Sequence, residues 1–144
     1  MRYMSKDAIQ DAIIEEFELF DDWLDKYDYL IGLSDSLPMI EAAKRTEGNL
    51  IEGCQSRVWV ASELRDGKVY FTADSDAIIT KGIIALLIRV MNGRSAEELA
   101  HIDLYFIDAI GLGENLSPTR SNGLRSMISR MKLDALRYSV IQNA

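Results

Sequence analysis

The sequence predicts an α+β domain in which a small antiparallel three-stranded sheet is flanked by helices. Three observations lead there. Both ends of the chain carry apolar residues at helical spacing. The middle carries alternating β-prone runs on either side of an Asp66-Gly67 turn signal. Between the sheet and the C-terminal helices lies a nearly uniform apolar run, residues 77–91, suited to a helix buried against the sheet.

Taken in order, Ile9, Ile13, Phe17, Phe20, Leu24 and Tyr27 repeat on one helix face and predict a single long amphipathic helix, with Ser5 as its cap. Tyr29 to Ser36 predicts a second, short helix. It stops at Leu37-Pro38, because proline disfavours helical backbone at the residue before it. Residues 44–48 (KRTEG) read as loop. Asn49-Leu50-Ile51 predicts a first strand and Arg57 to Leu64 a second, with Val58, Val60 and Leu64 on one face. After the turn, Lys68 to Ala73 predicts a third, with Val69, Phe71 and Ala73 on one face. Cys54 then falls between the first strand and the second.

Asp74-Ser75-Asp76 reads as the N-cap of the helix AIITKGIIALLIRVM. Ser95-Ala96-Glu97-Glu98 is a capping-box pattern for a short helix, and Leu104 to Ile110 a further helical piece. Ser117-Pro118 opens the last helix, whose buried stripe is Leu124, Met127, Ile128, Met131 and Ala135.

The 144 residues fit one domain, 1–144, and at 48% hydrophobic and 27% charged the balance is that of an ordinary globular protein. A net charge of −7 disfavours nucleic acid and anionic membrane as partners. The apolar run is too short to span a bilayer and contains Lys81 and Arg89. The start, MRYMSKDAIQDAIIEE, is broken by charge and lacks the apolar stretch of about 7–15 residues that a secretory signal needs. These features lead to the expectation of a cytoplasmic location. Charge is unevenly spread: residues 1–30 hold nine acids against three bases, and residues 120–144 hold five bases against one acid. Two readings are open: a polar partner surface, or two amphipathic helices with solvated outer faces lying side by side.

Cys54 is the only cysteine, which excludes an internal disulfide, a cysteine-rich zinc site and a cluster held by one chain alone. A lone thiol is at home in a reducing compartment. An unpaired cysteine is commonly a buried small hydrophobe. Here, however, Glu52, Gly53, Gln55 and Ser56 surround it, which is not a core stretch. Local sequence leaves a reactive thiol and an inert one equally open.

The run from Asn49 to Trp59 (NLIEGCQSRVW) resembles the cysteine loop of the SufE family, which includes the CsdE proteins. Two further blocks match in order and spacing, Ala73 to Ile83 (ADSDAIITKGI) and Leu116 to Leu124 (LSPTRSNGL), so the clear resemblance runs over about residues 48–131. The resemblance implies a fold like that of the IscU-type scaffold proteins. It also implies a sulfur carrier that takes sulfane sulfur from a cysteine desulfurase, stimulates that enzyme, and passes the sulfur towards an iron–sulfur scaffold. Cys54 would be nucleophile and persulfide carrier. Gly53, Gln55 and Ser56 match the loop that presents it, and Arg120 matches the family arginine near the transfer surface. No cofactor motif is visible in the chain, and no metal site is expected; pyridoxal phosphate would belong to the desulfurase.

The residue types suit this chemistry. Attack on a persulfide needs a thiolate, and a free thiol of pKa about 8.5 is only slightly ionised at neutral pH. A cation about 6 Å away would favour the anion by about 3 kcal/mol at an effective dielectric near 20. Arg120 or Arg57 is expected to supply that charge. An arginine in the first turn of a helix opposes the helix dipole and is not there to stabilise the helix. Gly123 is expected to permit close backbone approach, to the cysteine loop or to a partner. An apolar recess is expected to shelter the thiol until docking. Two alternatives are weighed. A cysteine hydrolase would need a base, and His101, at the end of a short helix, has no partner pattern around it. The other is a non-catalytic adaptor in which Cys54 is incidental.

Overall fold

The computed structural model describes residues 7–142. The sheet has the order β1-β2-β3, all antiparallel, with β1 Val58–Arg65, β2 Lys68–Ser75 and β3 Arg94–Ser95. The long hairpin runs in register from Val58↔Ser75 to Arg65↔Lys68. Its turn places Asp66 at φ 52° and Gly67 at φ 78°, the left-handed pair that matches strand twist in a two-residue connection. Val58, Val60, Val69, Phe71 and Ala73 form the buried face.

Two strand expectations change. Asn49-Leu50-Ile51 makes only one bridge, Leu50↔Trp59, at the outer edge of β1. The third strand is instead the two-residue β3, paired through Lys68↔Ser95 and Val69↔Arg94. A segment of three residues, flanked by Gly48 and the cysteine loop, has too few ladder bonds to extend β1, whereas the chain leaving the buried helix returns directly alongside β2.

That helix, α3 (Ile78–Met91), is the centre of the core, and only Ile78, Lys81 and Arg89 fall outside the buried set. Each large apolar side chain hidden there contributes about 1.5–3 kcal/mol relative to exposure. Its cap differs from expectation. Ala77 is the N-cap and no side chain caps the helix. Asp74 pairs with Arg45 at 2.5 Å and Lys81 at 3.3 Å. Asp76 accepts from the Arg57 backbone N–H at 3.1 Å.

The predicted long N-terminal helix is two helices, α1 (Ala8–Glu18) and α2 (Trp23–Gly32). The expected cap Ser5 lies outside the described residues. Asp7 caps α1 and Asp22 caps α2, each accepting from backbone N–H groups of its first turn. Leu24 kept the helical period but is 73% exposed, because the break between the helices turns it off the core face. From Leu33 to Ser36 the chain tightens into a 3-10 turn before Pro38.

The remaining helices are α4 (Ala96–Ala100), capped by Ser95 as expected, α5 (Phe106–Ala109) and the long α6 (Pro118–Gln142). Leu124, Met127, Met131 and Ala135 of α6 are buried. Helix α6 packs mainly on α4, whereas α1 packs on α5 and α3. Among the described residues the two charged ends do not pair side by side. Glu16 bonds Arg89 and Asp7 bonds Arg94, while Arg130 and Arg137 turn to Asp134 on their own helix. Among the described residues no helix is long and apolar enough to cross a membrane, and no group of three or more His, Cys, Asp or Glu side chains is placed to hold a metal.

Candidate functional site

The loop carrying Cys54 is pinned at both ends. On its near side the Ile51 N–H donates to the Val58 carbonyl at 2.8 Å. On its far side Arg57 is held twice, its N–H by Asp76 and its carbonyl by the Ser75 hydroxyl at 2.7 Å. Residues 52–56 must therefore reverse within a short span. Gly53 does this at φ 89°, a conformation that favours glycine. A Cβ added there would also stand 2.5 Å from Ser126 Oγ on α6.

The reversal turns the Cys54 side chain onto the start of α6. Its Sγ–H donates to the Gly123 carbonyl at 3.6 Å, and a Cβ at Gly123 would stand 3.5 Å from Sγ. Of the two roles expected for Gly123, the structure gives it close contact with the cysteine loop. Around the sulfur is a recess of about 20 Å³, lined among others by Gln55, Ser56, Thr80, Ile83, Arg120 and Met127. That volume admits about one water-sized atom beside the thiol.

Of the residues singled out in the sequence, Gln55, Ser56, Arg120 and Gly123 share this recess with Cys54, while Gly53 faces Ser126 on the other side of the loop. Arg57 is exposed and is tied by its backbone, not set at the recess. Arg120 is half-buried, and its guanidinium donates to the Tyr27 hydroxyl on α2 at 2.9 Å. Ser117 accepts from the Arg120 backbone N–H at 3.2 Å, capping α6 as its position before Pro118 predicts. His101 is the exposed C-cap that follows α4 and is not among those lining the recess.

Of the two influences expected on the thiol, a sheltering recess and a neighbouring arginine, burial is the one that acts at rest. Burial pushes the Cys54 thiol up from its ordinary value, since desolvation disfavours the charged form. The hydrogen bond to Gly123 acts in the same direction, because only the protonated sulfur can donate it. No opposing contribution from Arg120 offsets burial; its guanidinium is directed to the Tyr27 hydroxyl. In the resting protein Cys54 is a sheltered thiol. Alkylation of Cys54 in the free protein is accordingly expected to reach half-maximal rate at a higher pH than that of an ordinary free thiol. A midpoint at or below the ordinary thiol value of about 8.5 would contradict this account.

Thr80 and Tyr27 were not singled out from the sequence. Thr80 had a signal, as the one hydroxyl in an otherwise apolar run between residues 77 and 91. Tyr27 had none, since it reads as one more apolar-face residue; only tertiary packing brings it to Arg120.

The SufE family, described as an Fe-S metabolism associated domain, matches residues 11–135. A SufE-like protein of Rhizobium etli is 42% identical over 133 residues, covering 89% of this chain and 90% of that protein. A SufE-like protein of Synechocystis is 36% identical, over 91% of this chain and 82% of its own length. SufE-like protein 1 of Arabidopsis thaliana, chloroplastic/mitochondrial, is 35% identical over 89% of this chain but only 35% of its own. The fold alone is matched by the solution structure of a hypothetical protein from Thermus thermophilus. Its TM-score is 0.74 at 21% identity, with 90% of this chain and 94% of that one covered. With the cysteine loop, the α3 start and the α6 start all inside the matched region, the chain belongs to the SufE family, whose domain is associated with iron–sulfur metabolism.

Proposed function

We propose that this protein accepts sulfane sulfur from a cysteine desulfurase onto Cys54, stimulates that enzyme by clearing its persulfide, and passes the sulfur on to a scaffold for iron–sulfur cluster assembly. The supporting observation is the placement of the only thiol, on a doubly pinned loop beside a recess of about one atom's size, in a chain of the SufE family.

The transfer balances without an added oxidant. The Cys54 thiolate attacks the outer sulfur of the partner's persulfide, and a new S–S bond forms on Cys54. The old S–S bond breaks, and its electron pair leaves with the partner's cysteine as thiolate. Because the resting thiol is protonated and covered, Cys54 must first leave Gly123 and lose its proton at the docked partner. A loop held at Ile51 and Arg57, with Gly53 between, allows its tip to move while its ends stay fixed. Hydrogen exchange should then show loop amides that become less protected when the partner binds; a loop already open and unprotected in the free protein would argue against sheltering.

Gln55 and Ser56 present the cysteine, and Arg120 and Gly123 shape the seat it returns to. Pyridoxal phosphate belongs to the desulfurase, and the chain works in the cytoplasm beside it. The direct test is to incubate the protein with a cysteine desulfurase and cysteine, then weigh its peptides by mass spectrometry. The expected result is one added sulfur on the peptide holding Cys54. No added sulfur, with the desulfurase active, would remove the proposal.

A further inference from the structure

We infer that the recess beside Cys54 is a seat for the terminal sulfur of a perthiolate, held there by the Thr80 hydroxyl at the N-terminus of α3. The inference rests on the proposed persulfide chemistry and names the group that stabilises its product.

Thr80 is only 6% exposed, and it lines the recess with Cys54. Its hydroxyl makes no hydrogen bond among the described residues. Its oxygen is not one of the sealed, unsatisfied polar atoms, so the hydroxyl of this otherwise buried residue remains able to donate to a group placed in the recess. The first turn of α3 has no side-chain cap and no acidic residue of its own, and the carboxylates just before it, Asp74 and Asp76, are turned to Arg45, Lys81 and the Arg57 amide. Thr119 and Arg120, in the first turn of α6, line the same space. An unpartnered hydroxyl and two helix beginnings around one small void make a receptor for a compact anion.

The thiol is not that anion, because it is satisfied by Gly123 as a donor. Adding a sulfur changes the requirement. The inner sulfur of a persulfide carries no proton, so the bond to the Gly123 carbonyl is lost. The outer sulfur stands about 2.05 Å further out, one S–S bond beyond Sγ. A persulfide is a stronger acid than a thiol, so this outer atom carries the charge and needs a donor. The charged or titratable residues lining the recess are Cys54 and Arg120; nearby, Lys81 is paired with Asp74 and Asp76 accepts from Arg57. Gln55, Ser56 and Thr119 also carry neutral donors at the recess, but they are exposed or half-exposed; Thr80 is the buried donor among them and the one least taken up by solvent.

The test uses the full chain and needs no desulfurase. Inorganic polysulfide loads Cys54: the thiolate attacks a polysulfide sulfur, and the shortened polysulfide leaves as the anion. Mass spectrometry then follows the pH profile of persulfide alkylation by iodoacetamide and the survival of the persulfide in a thiol reductant. With Thr80→Val the alkylation midpoint should rise by about one pH unit and survival should fall about tenfold, the scale of a hydrogen bond to a charged group. Thr80→Ser should behave as the unmutated chain. Should Thr80→Val not fold, Thr80→Ala carries the same expectation. A hydroxyl-free variant with unchanged midpoint and survival would overturn the inference, as would an unmutated chain that retains no sulfur from polysulfide. A chain loaded by polysulfide but not by a desulfurase would instead remove the proposed function, and the Thr80→Val comparison would still decide the present point.

Discussion

Cys54→Ser is expected to leave the chain folded and to abolish its sulfur uptake. The folding half follows from the site's geometry. Oxygen replaces sulfur in a half-buried side chain, and the hydroxyl can still donate to the Gly123 carbonyl. Substitutions that neither open a cavity nor strand a polar group change stability by about 1 kcal/mol or less. For a domain this size that moves the melting temperature by about 2–4 °C. The chemical half follows from the nucleophile. A serine hydroxyl needs an adjacent base to attack, and no histidine lines the recess. Mass spectrometry after incubation with a desulfurase and cysteine should therefore show no added sulfur, and sulfide release should fall to the rate of the desulfurase alone. The alternative has a distinct signature. If Cys54→Ser stimulates release as well as the unmutated chain, the protein is an adaptor and its cysteine is incidental.

The parts of this site that were legible in the sequence are those held by local chemistry. The Asp66-Gly67 turn, the apolar α3 and the Ser117 cap each depend on residues within a few positions, and each stands where the pattern placed it. Tertiary competition explains the misses. Asp74-Ser75-Asp76 has the composition of a cap, but Arg45 and Lys81 approach Asp74 and the Arg57 amide approaches Asp76, and charged or buried partners win over capping. Leu24 stayed in phase with the preceding apolar residues, so periodicity alone ran α1 into α2, although Asp22 was a ready second cap. The balance of influences on Cys54 is likewise set by tertiary packing. Arg120 is beside the recess as expected, with its guanidinium directed to Tyr27, a residue far away in the chain, and burial is what raises the thiol.

Gly82→Ala is expected to cost about 3 kcal/mol, near the upper part of the usual range for overpacking. In an exposed helix the same change would have the opposite sign, since alanine is favoured over glycine by about 1 kcal/mol. The sign is reversed by a contact with α2. A Cβ on Gly82 would lie 2.0 Å from the Leu30 carbonyl oxygen and 2.9 Å from its carbonyl carbon. Both are backbone atoms, so no rotamer change relieves the clash; α2 must lift off α3. Leu30 is fully buried, so lifting it opens a gap in the core as well. A loss of about 3 kcal/mol corresponds to about 6–12 °C in melting temperature, which a thermal scan by circular dichroism reads directly. A neutral or raised melting temperature would show that the two helices are not held at this distance. The same displacement reaches the site, because α2 carries Tyr27 and Tyr27 holds Arg120. At temperatures where Gly82→Ala remains folded, sulfur uptake by Cys54 should therefore fall, although residue 82 is not among those lining the recess. Full uptake in a folded Gly82→Ala chain would mean that Arg120 keeps its place without α2, and would detach the arginine's position from the packing of the N-terminal helices.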